Sequence, residues 1–177
     1  MVKMKNGDLR EMRNATDLES IVRTIGHGLI AFDGCTSVGK TTLMKKLAGR
    51  LKCPAIDLDP YLNRQRGEFV NELRLPEVAS AIEQAHQQSP IALIAGICMR
   101  EVLDRLQLTA AVHIYVQLNS PMGIPSNLNI MDREDGHQID DTYGKLLSET
   151  DWEIAAYHER YRPRSNADVI YVRTSGD

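Results

Sequence analysis

The sequence predicts an α/β protein in which a parallel sheet carries helices on both faces. Short, uninterrupted apolar runs such as residues 29–32 and 91–96 are typical of strands buried on both faces of a sheet. Segments with apolar residues at three- and four-residue spacing follow these runs and are typical of amphipathic helices. Because strands and helices alternate along the chain, we expect right-handed crossovers between parallel strands.

The first half of the chain alternates in this way. Gly26 and Gly28 end the first helix, and Pro76 stands at a helix start, where a proline is tolerated. Each helix carries an apolar stripe on one face, and each strand is a short apolar run. The predicted order is helix 18–27, strand 29–32, helix 41–51, strand 54–59 and a helix from residue 76.

The second half adds three strands, which makes five in all. The segment 119–138 is rich in Pro, Gly and Asn, so we expect it to be a loop or mobile lid. The last helix ends before Pro163, because the residue before a proline disfavours helical backbone. The predicted order is strand 91–96, helix 99–106, strand 110–118, lid 119–138, helix 140–161 and strand 167–172.

Length and composition fit one globular domain over residues 1–177, with a polar, frayed stretch at 1–15. The net charge of -3 gives no general attraction to nucleic acid or membrane surfaces. We expect a small-molecule partner, no nucleic acid and no membrane, with a homodimer left open. Three widely spaced cysteines at 35, 53 and 98 make a poor disulfide framework, so we expect a reducing, cytoplasmic setting and no structural zinc.

Residues 30–42, IAFDGCTSVGKTT, contain the pattern G-x-x-x-x-G-K-[ST]. Its glycines let successive backbone N–H groups point at phosphate oxygens, and the helix that follows adds its positive end. The pattern lies between an apolar strand and an amphipathic helix, which is the context it requires. We therefore predict a nucleotide phosphate site formed by Gly34, Cys35, Thr36, Ser37, Val38, Gly39, Lys40, Thr41 and Thr42.

Three residues of this loop carry specific expectations. Lys40 would reach the β- and γ-phosphates, and the Thr41 hydroxyl would hold Mg²⁺. The helix N-terminus would lower the pKa of Cys35, so that its oxidation could block nucleotide binding; alternatively, a small residue simply fits there. The loop alone is shared by kinases, GTPases, motor ATPases and inactive nucleotide-binding proteins.

Features after the loop favour a small-molecule kinase. The chain is short, and no N-K-x-D guanine-reading motif follows the fourth strand. Asp57 and Asp59 stand two residues apart on the second strand, so they share a face at the carboxyl edge of the sheet. A carboxylate there can accept a proton from an attacking hydroxyl or bind Mg²⁺. The alternative for each is an aspartate that caps a helix or a turn.

Several stretches resemble the uridine kinase-like group of P-loop nucleoside and metabolite kinases. They are IAFDGCTSVGKTTL, LDPYLNR, IALIAGICMREVL and YRPRSNADVIY, and together they span most of residues 28–172. The resemblance implies the P-loop NTPase fold with a five-stranded core, ATP and Mg²⁺, and a hydroxyl-bearing acceptor. It also implies that Asp59 is the base that activates this hydroxyl, and that Tyr61 and Arg64 lie near the acceptor pocket.

The sequence departs from this group in two places. Members often carry an acidic residue before the glycine that ends the third strand, whereas this chain has Ala95 before Gly96, so Asp57 or Asp59 would hold Mg²⁺ alone. The lid of such kinases usually carries several arginines that clamp the phosphate, whereas 119–138 offers only Arg133. Further positive charge could come from three later arginines, Arg160, Arg162 and Arg164. Such a run of charges is, however, also typical of a solvated helix end.

The sequence thus predicts a phosphotransferase that moves the γ-phosphate of ATP to a hydroxyl of a nucleoside-like or other small metabolite. Lys40 and Asp59 would be catalytic, Thr41 and Asp57 would hold the metal ion, and Arg133 would contact substrate. Two alternatives stay open. One is a nucleotide-binding module or slow ATPase switch without efficient kinase activity. The other is a kinase that acts on a macromolecule, such as a phosphotransferase of the antibiotic or toxin type.

Overall fold

The computed structural model describes residues 10–63 and 68–175, which form a sheet flanked by helices. Its strands are β1 (Arg10–Met12), β2 (Gly28–Asp33), β3 (Ala55–Asp57), β4 (Ile91–Ala95), β5 (Val112–Asn119) and β6 (Val169–Thr174). The pairs between these six strands are all parallel, and the order across the sheet is β1-β6-β5-β2-β4-β3. The predicted parallel α/β arrangement is therefore confirmed, with six strands instead of five.

The additional strand, β1, lies inside the segment that we expected to be frayed. Arg10 of β1 is opposite Val169 of β6, so a partner from the far end of the described chain supplies the pairing. Three residues are too short to show an apolar period, which is why the sequence pattern does not predict this strand. Residues 1–9 of the expected frayed stretch lie outside the described residues.

Helices connect the parallel strands along the chain. They are α1 (Ala15–Ile25), α2 (Lys40–Leu51), α3 (Phe69–Glu72), α4 (Leu75–Gln88), α5 (Met99–Leu106), α6 (Leu128–Met131), α7 (Asp141–Gly144) and α8 (Glu149–Tyr161). Helices α1 and α2 pack together, and α5 packs with α8. Among the described helices, none has both the length and the apolar character needed to cross a membrane.

The single helix predicted for 140–161 is wrong, because two N-terminal caps divide this segment. The Asp140 side chain accepts hydrogen bonds from the first backbone N–H groups of α7. Ser148 then begins α8, where its hydroxyl and the Asp151 carboxylate bond reciprocally to backbone N–H groups. In a continuous helix these N–H groups would donate to carbonyl oxygens of the preceding turn. Here the capping side chains accept their hydrogen bonds instead, so a new helix begins after each cap.

The segment 119–138 is also more structured than the expected loop. It contains α6 and a 3-10 turn at Asp132–Asp135, and the side chains of Ile130 and Met131 are buried against the core. The buried carboxylate of Glu134 accepts bonds from the backbone N–H groups of Arg164 at 2.7 Å and Ser165 at 2.9 Å. This part of the lid is therefore packed onto the turn that follows α8.

Candidate active site

The phosphate loop connects β2 to α2 at the carboxyl edge of the sheet. Gly34 has φ 139°, and a Cβ at this position would overlap the backbone carbonyl oxygen of Val116. Gly39 has φ 87° and directly precedes Lys40, the first residue of α2. Both positions demand backbone that L side chains rarely adopt, so these two glycines shape the loop.

Lys40 is buried inside the loop, with 8% of its surface exposed. Its Nζ donates a hydrogen bond to the carbonyl oxygen of Gly34 at 3.0 Å and another to that of Cys35. Burial lowers the pKa of Lys40, and the nearby charge of Asp33 opposes this shift. The ammonium group is therefore held by loop carbonyls at the place where the motif requires a phosphate-binding cation.

A cleft of about 490 Å³ opens beside the loop. The loop residues, both aspartates and residues from four other segments share it, so the cleft brings the phosphate site and the candidate carboxylates together. Its lining consists of Thr36, Ser37, Gly39, Lys40, Thr41, Thr42, Asp57, Asp59, Leu62, Phe69, Gly96, Ile97 and Thr150.

The two aspartates reach this cleft from different local structures. Asp57 ends β3, whereas Asp59 begins a 3-10 turn that continues through Pro60 to Tyr61. The expectation that both lie on one strand is therefore wrong, and Pro60 near the start of a helical turn explains the change. The Asp59 backbone N–H donates to the Asp57 carboxylate at 3.4 Å, and Lys45 Nζ lies 3.8 Å from that carboxylate.

The environment of Asp59 suits a proton acceptor. Burial raises its pKa, and the neighbouring charge of Asp57 raises it further, against the opposing charges of Lys40 and Lys45. A carboxylate whose pKa is shifted toward neutrality is a stronger base than an ordinary one. Tyr61 is half-buried in the same turn but does not line the cleft. Arg64 lies outside the described residues.

The structure also reveals a buried carboxylate that the sequence analysis missed. Asp33, the residue before Gly34, is 3% exposed and accepts hydrogen bonds from the Gly34 backbone N–H at 2.8 Å and from the Tyr157 hydroxyl. Burial raises its pKa, while these hydrogen bonds oppose the shift. Asp33 thereby ties the first amide of the loop to α8. An acid at the end of the apolar run LIAFD is the sequence signal that could have indicated it.

The expectation of a reactive thiol at Cys35 is wrong. The side chain is 1% exposed, and its sulfur lies 3.7 Å from the hydroxyl of Tyr115, which is in turn 2.8 Å from Nε2 of His158. Burial raises the pKa of Cys35 to about 11. Desolvation therefore outweighs the effect of the helix N-terminus, and the thiol is protonated and shielded.

The arginine proposed as a phosphate clamp lies away from the cleft. Arg133 donates to Glu159 and, at 2.7 Å, to Gln138. The three later arginines have partners of their own: Arg162 lies 3.6 Å from Asp135, Arg164 donates to Gln117, and Arg160 lies over the Tyr161 ring. Of the residues that line the cleft, the one cationic side chain within the described ranges is Lys40.

The remaining cleft wall comes from residues that the sequence analysis did not single out. Leu62 and Phe69 stand on either side of the undescribed residues 64–67, Ile97 follows β4, and Thr150 lies in the first turn of α8. Ala95 is fully buried at the end of β4, between Phe32 of β2 and Asp57 of β3. No local pattern marks Leu62, Phe69, Ile97 or Thr150, because the fold alone brings them to the loop.

Comparisons with known proteins support the fold. Neither the family models nor the curated proteins contain a match to the sequence. The structure is similar to that of a possible uridine kinase from Bacillus stearothermophilus, with TM-score 0.55 and 14% identity over 89% of this chain and 96% of that one. A shikimate kinase from Bacteroides thetaiotaomicron aligns with TM-score 0.40 and 22% identity over 83% and 85% of the two chains.

Only the first of these two TM-scores exceeds 0.5, and at 14% identity the likeness establishes the fold alone. The alignment spans nearly the whole of both chains, so the likeness extends over the whole fold and not over one segment of it. The chain therefore has the α/β fold seen in P-loop kinases.

Proposed function

We propose that the chain is a phosphotransferase that moves the γ-phosphate of ATP to a hydroxyl of a nucleoside-like or other small metabolite. The observation that carries this proposal is the shared cleft, in which the Lys40 loop and the Asp59 carboxylate line the same volume of about 490 Å³. Phosphoryl transfer needs a cradle for the phosphates and a group that accepts the hydroxyl proton, and little other covalent chemistry from the protein.

Each residue then has a defined task. The loop N–H groups and the N-terminus of α2 hold the phosphate chain, while the Lys40 ammonium neutralises charge that develops during transfer. Asp59 accepts the proton of the attacking hydroxyl. The Thr41 hydroxyl and the Asp57 carboxylate line the cleft together, and such oxygen donors suit Mg²⁺. When bound, this ion would neutralise charge on the phosphate oxygens.

The rest of the cleft indicates what kind of acceptor fits. Leu62, Phe69 and Ile97 form an apolar wall, and Thr150 adds one hydroxyl. A ring such as a nucleobase buries its faces against apolar and aromatic side chains, and a hydroxyl can orient a polar edge. This lining supports a compact acceptor with one apolar face and a free hydroxyl.

The test is ADP formation by the purified chain with ATP, Mg²⁺ and a panel of nucleosides, sugars and vitamins. We expect one class of acceptor to stimulate ADP release. Asp59→Asn should then lower kcat by about 10²–10⁴-fold and leave the Kd for ATP unchanged, because a general base acts only in the chemical step. Asp17→Asn is the matched control, because Asp17 is an exposed aspartate in the first turn of α1. ATP binding without stimulation by any acceptor would contradict the proposal.

A second candidate is a nucleotide-binding module or slow ATPase switch. It is favoured by the buried alanine at the end of β4 and by the outward engagement of Arg133 with Glu159. Under this alternative, Lys40→Ala abolishes ATP binding, whereas Asp59→Asn changes neither ATP affinity nor the slow basal turnover. A large loss of acceptor-dependent activity in Asp59→Asn would exclude it.

A further inference from the structure

Arg173, near the end of β6, contacts the phosphate loop from the side opposite Asp59. Its Nη1 donates a hydrogen bond to the carbonyl oxygen of Val38 at 3.1 Å. The guanidinium also lies against Gly39, so closely that a Cβ at residue 39 would overlap it. The side chain is half-buried, and no carboxylate within residues 10–63 and 68–175 forms a salt bridge with it.

This contact adds positive charge where positive charge already accumulates. Val38 and Gly39 immediately precede the 12-residue helix α2, whose N-terminus carries a partial positive charge. Cations near a helix N-terminus are unfavourable, yet both Lys40 and Arg173 lie there and donate to loop carbonyls. Burial lowers the pKa of Lys40, and the negative charge that most opposes this lowering is that of Asp33, which is itself buried. An anion above the loop would relieve this arrangement.

The sheet order indicates which part of a nucleotide Arg173 would meet. The loop follows β2; β3, with Asp57 and Asp59, lies two strands away on one side, and β6, with Arg173, lies two strands away on the other. If the acceptor binds beside Asp59, the γ-phosphate points toward β3 and the nucleoside end of ATP points toward β6. This step rests on the proposed function.

We propose that Arg173 binds the α-phosphate of the nucleotide, exchanging the Val38 carbonyl for phosphate oxygens. Guanidinium groups present a planar set of donors that matches phosphate geometry, and hydrogen bonds between charged partners are stronger than neutral ones. Arg173 thus supplies a second phosphate-binding cation, from a strand on the far side of the loop from the acceptor cleft.

The experiment is titration calorimetry of the full chain with ATP and with ADP, without acceptor, at several salt concentrations. Arg173→Ala should raise the Kd for ATP and the Kd for ADP by about tenfold or more, and by similar factors, because both nucleotides carry the α-phosphate. Arg173→Lys should recover part of the loss. The dependence of log Kd on log salt should be shallower in Arg173→Ala, because one ion contact is gone. Arg23→Ala, which removes an arginine paired with Glu19 on α1, should leave both affinities unchanged.

Unchanged affinity in Arg173→Ala would overturn the proposal. So would a loss that lysine does not reduce and salt does not modulate, since that result would indicate a contact with the base and not with a phosphate. If Arg173→Ala does not fold, Arg173→Gln keeps most of the side-chain packing and carries the same measurement. A wild-type chain that binds ATP but transfers no phosphate would contradict the proposed function and leave the Arg173 contact to be decided by these titrations.

Discussion

The phosphate loop and the segment 119–138 differ in where their structure comes from. The loop depends on residues close in sequence: Gly34 and Gly39 adopt left-handed backbone, and Lys40 bonds to carbonyls five and six residues earlier. The segment 119–138 depends on residues about 30 positions away, since Glu134 receives its hydrogen bonds from Arg164 and Ser165. A local motif therefore predicts the loop, whereas only the assembled fold determines the lid.

The same difference applies to charge. Lys40 stays in the loop because its own carbonyl partners hold it there. Arg133, which has the residue type expected of a phosphate clamp, is held by Glu159 of α8. A suitable side chain at a plausible position in the sequence therefore contributes to the site only if its neighbours in the fold leave it directed at the cleft.

The largest expected effect tests the local nature of the loop. Lys40→Ala should lower kcat for phosphoryl transfer by at least about 10²–10³-fold, because it removes the cation that stabilises charge in the transition state. Steady-state kinetics at saturating ATP measure this loss. Lys46→Ala, an exposed lysine on the same helix, is the control and should retain wild-type activity. Activity of Lys40→Ala within tenfold of wild type would show that another group replaces the lysine.

An intermediate effect tests the remote contacts of the lid. Glu134→Gln should lower the free energy of unfolding by about 1–3 kcal/mol, because the amide cannot accept the same three hydrogen bonds with a full charge. Urea denaturation followed by circular dichroism measures the change, and Glu83→Gln on the exposed face of α4 is the control. If Glu134→Gln unfolds like wild type, the burial of Ile130 and Met131 alone holds the lid.

The smallest expected effect concerns the arginine of the lid. Arg133→Ala should change kcat and the KM for ATP by less than about threefold, because its guanidinium is engaged with Glu159 and Gln138 away from the cleft. The same kinetic assay decides the matter. A loss of 10²-fold or more would mean that the lid rearranges when substrates bind and brings Arg133 to the phosphate, which would remove the contrast between the two regions.

Much of the fold follows from sequence patterns, and the exceptions have physical causes. The apolar runs that become β2, β4, β5 and β6 are buried on both faces, so hydrophobicity alone indicates them. The sequence pattern does not predict β1, because its pairing with β6, and not its own composition, makes it a strand. The caps at Asp140 and Ser148 divide a segment that looks continuous, because a side chain that bonds backbone N–H groups outweighs helical periodicity.

The candidate site divides in the same way. The phosphate motif predicts the loop residues, because the backbone conformation that binds phosphate requires glycine at fixed positions. Thr150 and Phe69 could not be predicted, since they reach the cleft only through the packing of α8 and α3. The wrong expectation for Cys35 has a different cause: the burial of its side chain is a tertiary effect, and its influence on the thiol pKa outweighs the local field of the helix.

The pairing of β1 with β6 also has a consequence for the order of folding. These strands are hydrogen-bonded neighbours, yet nearly the whole described chain separates them. During synthesis, β1 therefore leaves the ribosome well before β6, the strand with which it pairs. Contacts of such high sequence separation form late, because their closure entropy must be overcome before they stabilise the chain. We therefore expect the pairing of β1 with β6 to form after the pairs between strands that lie closer together in the sequence.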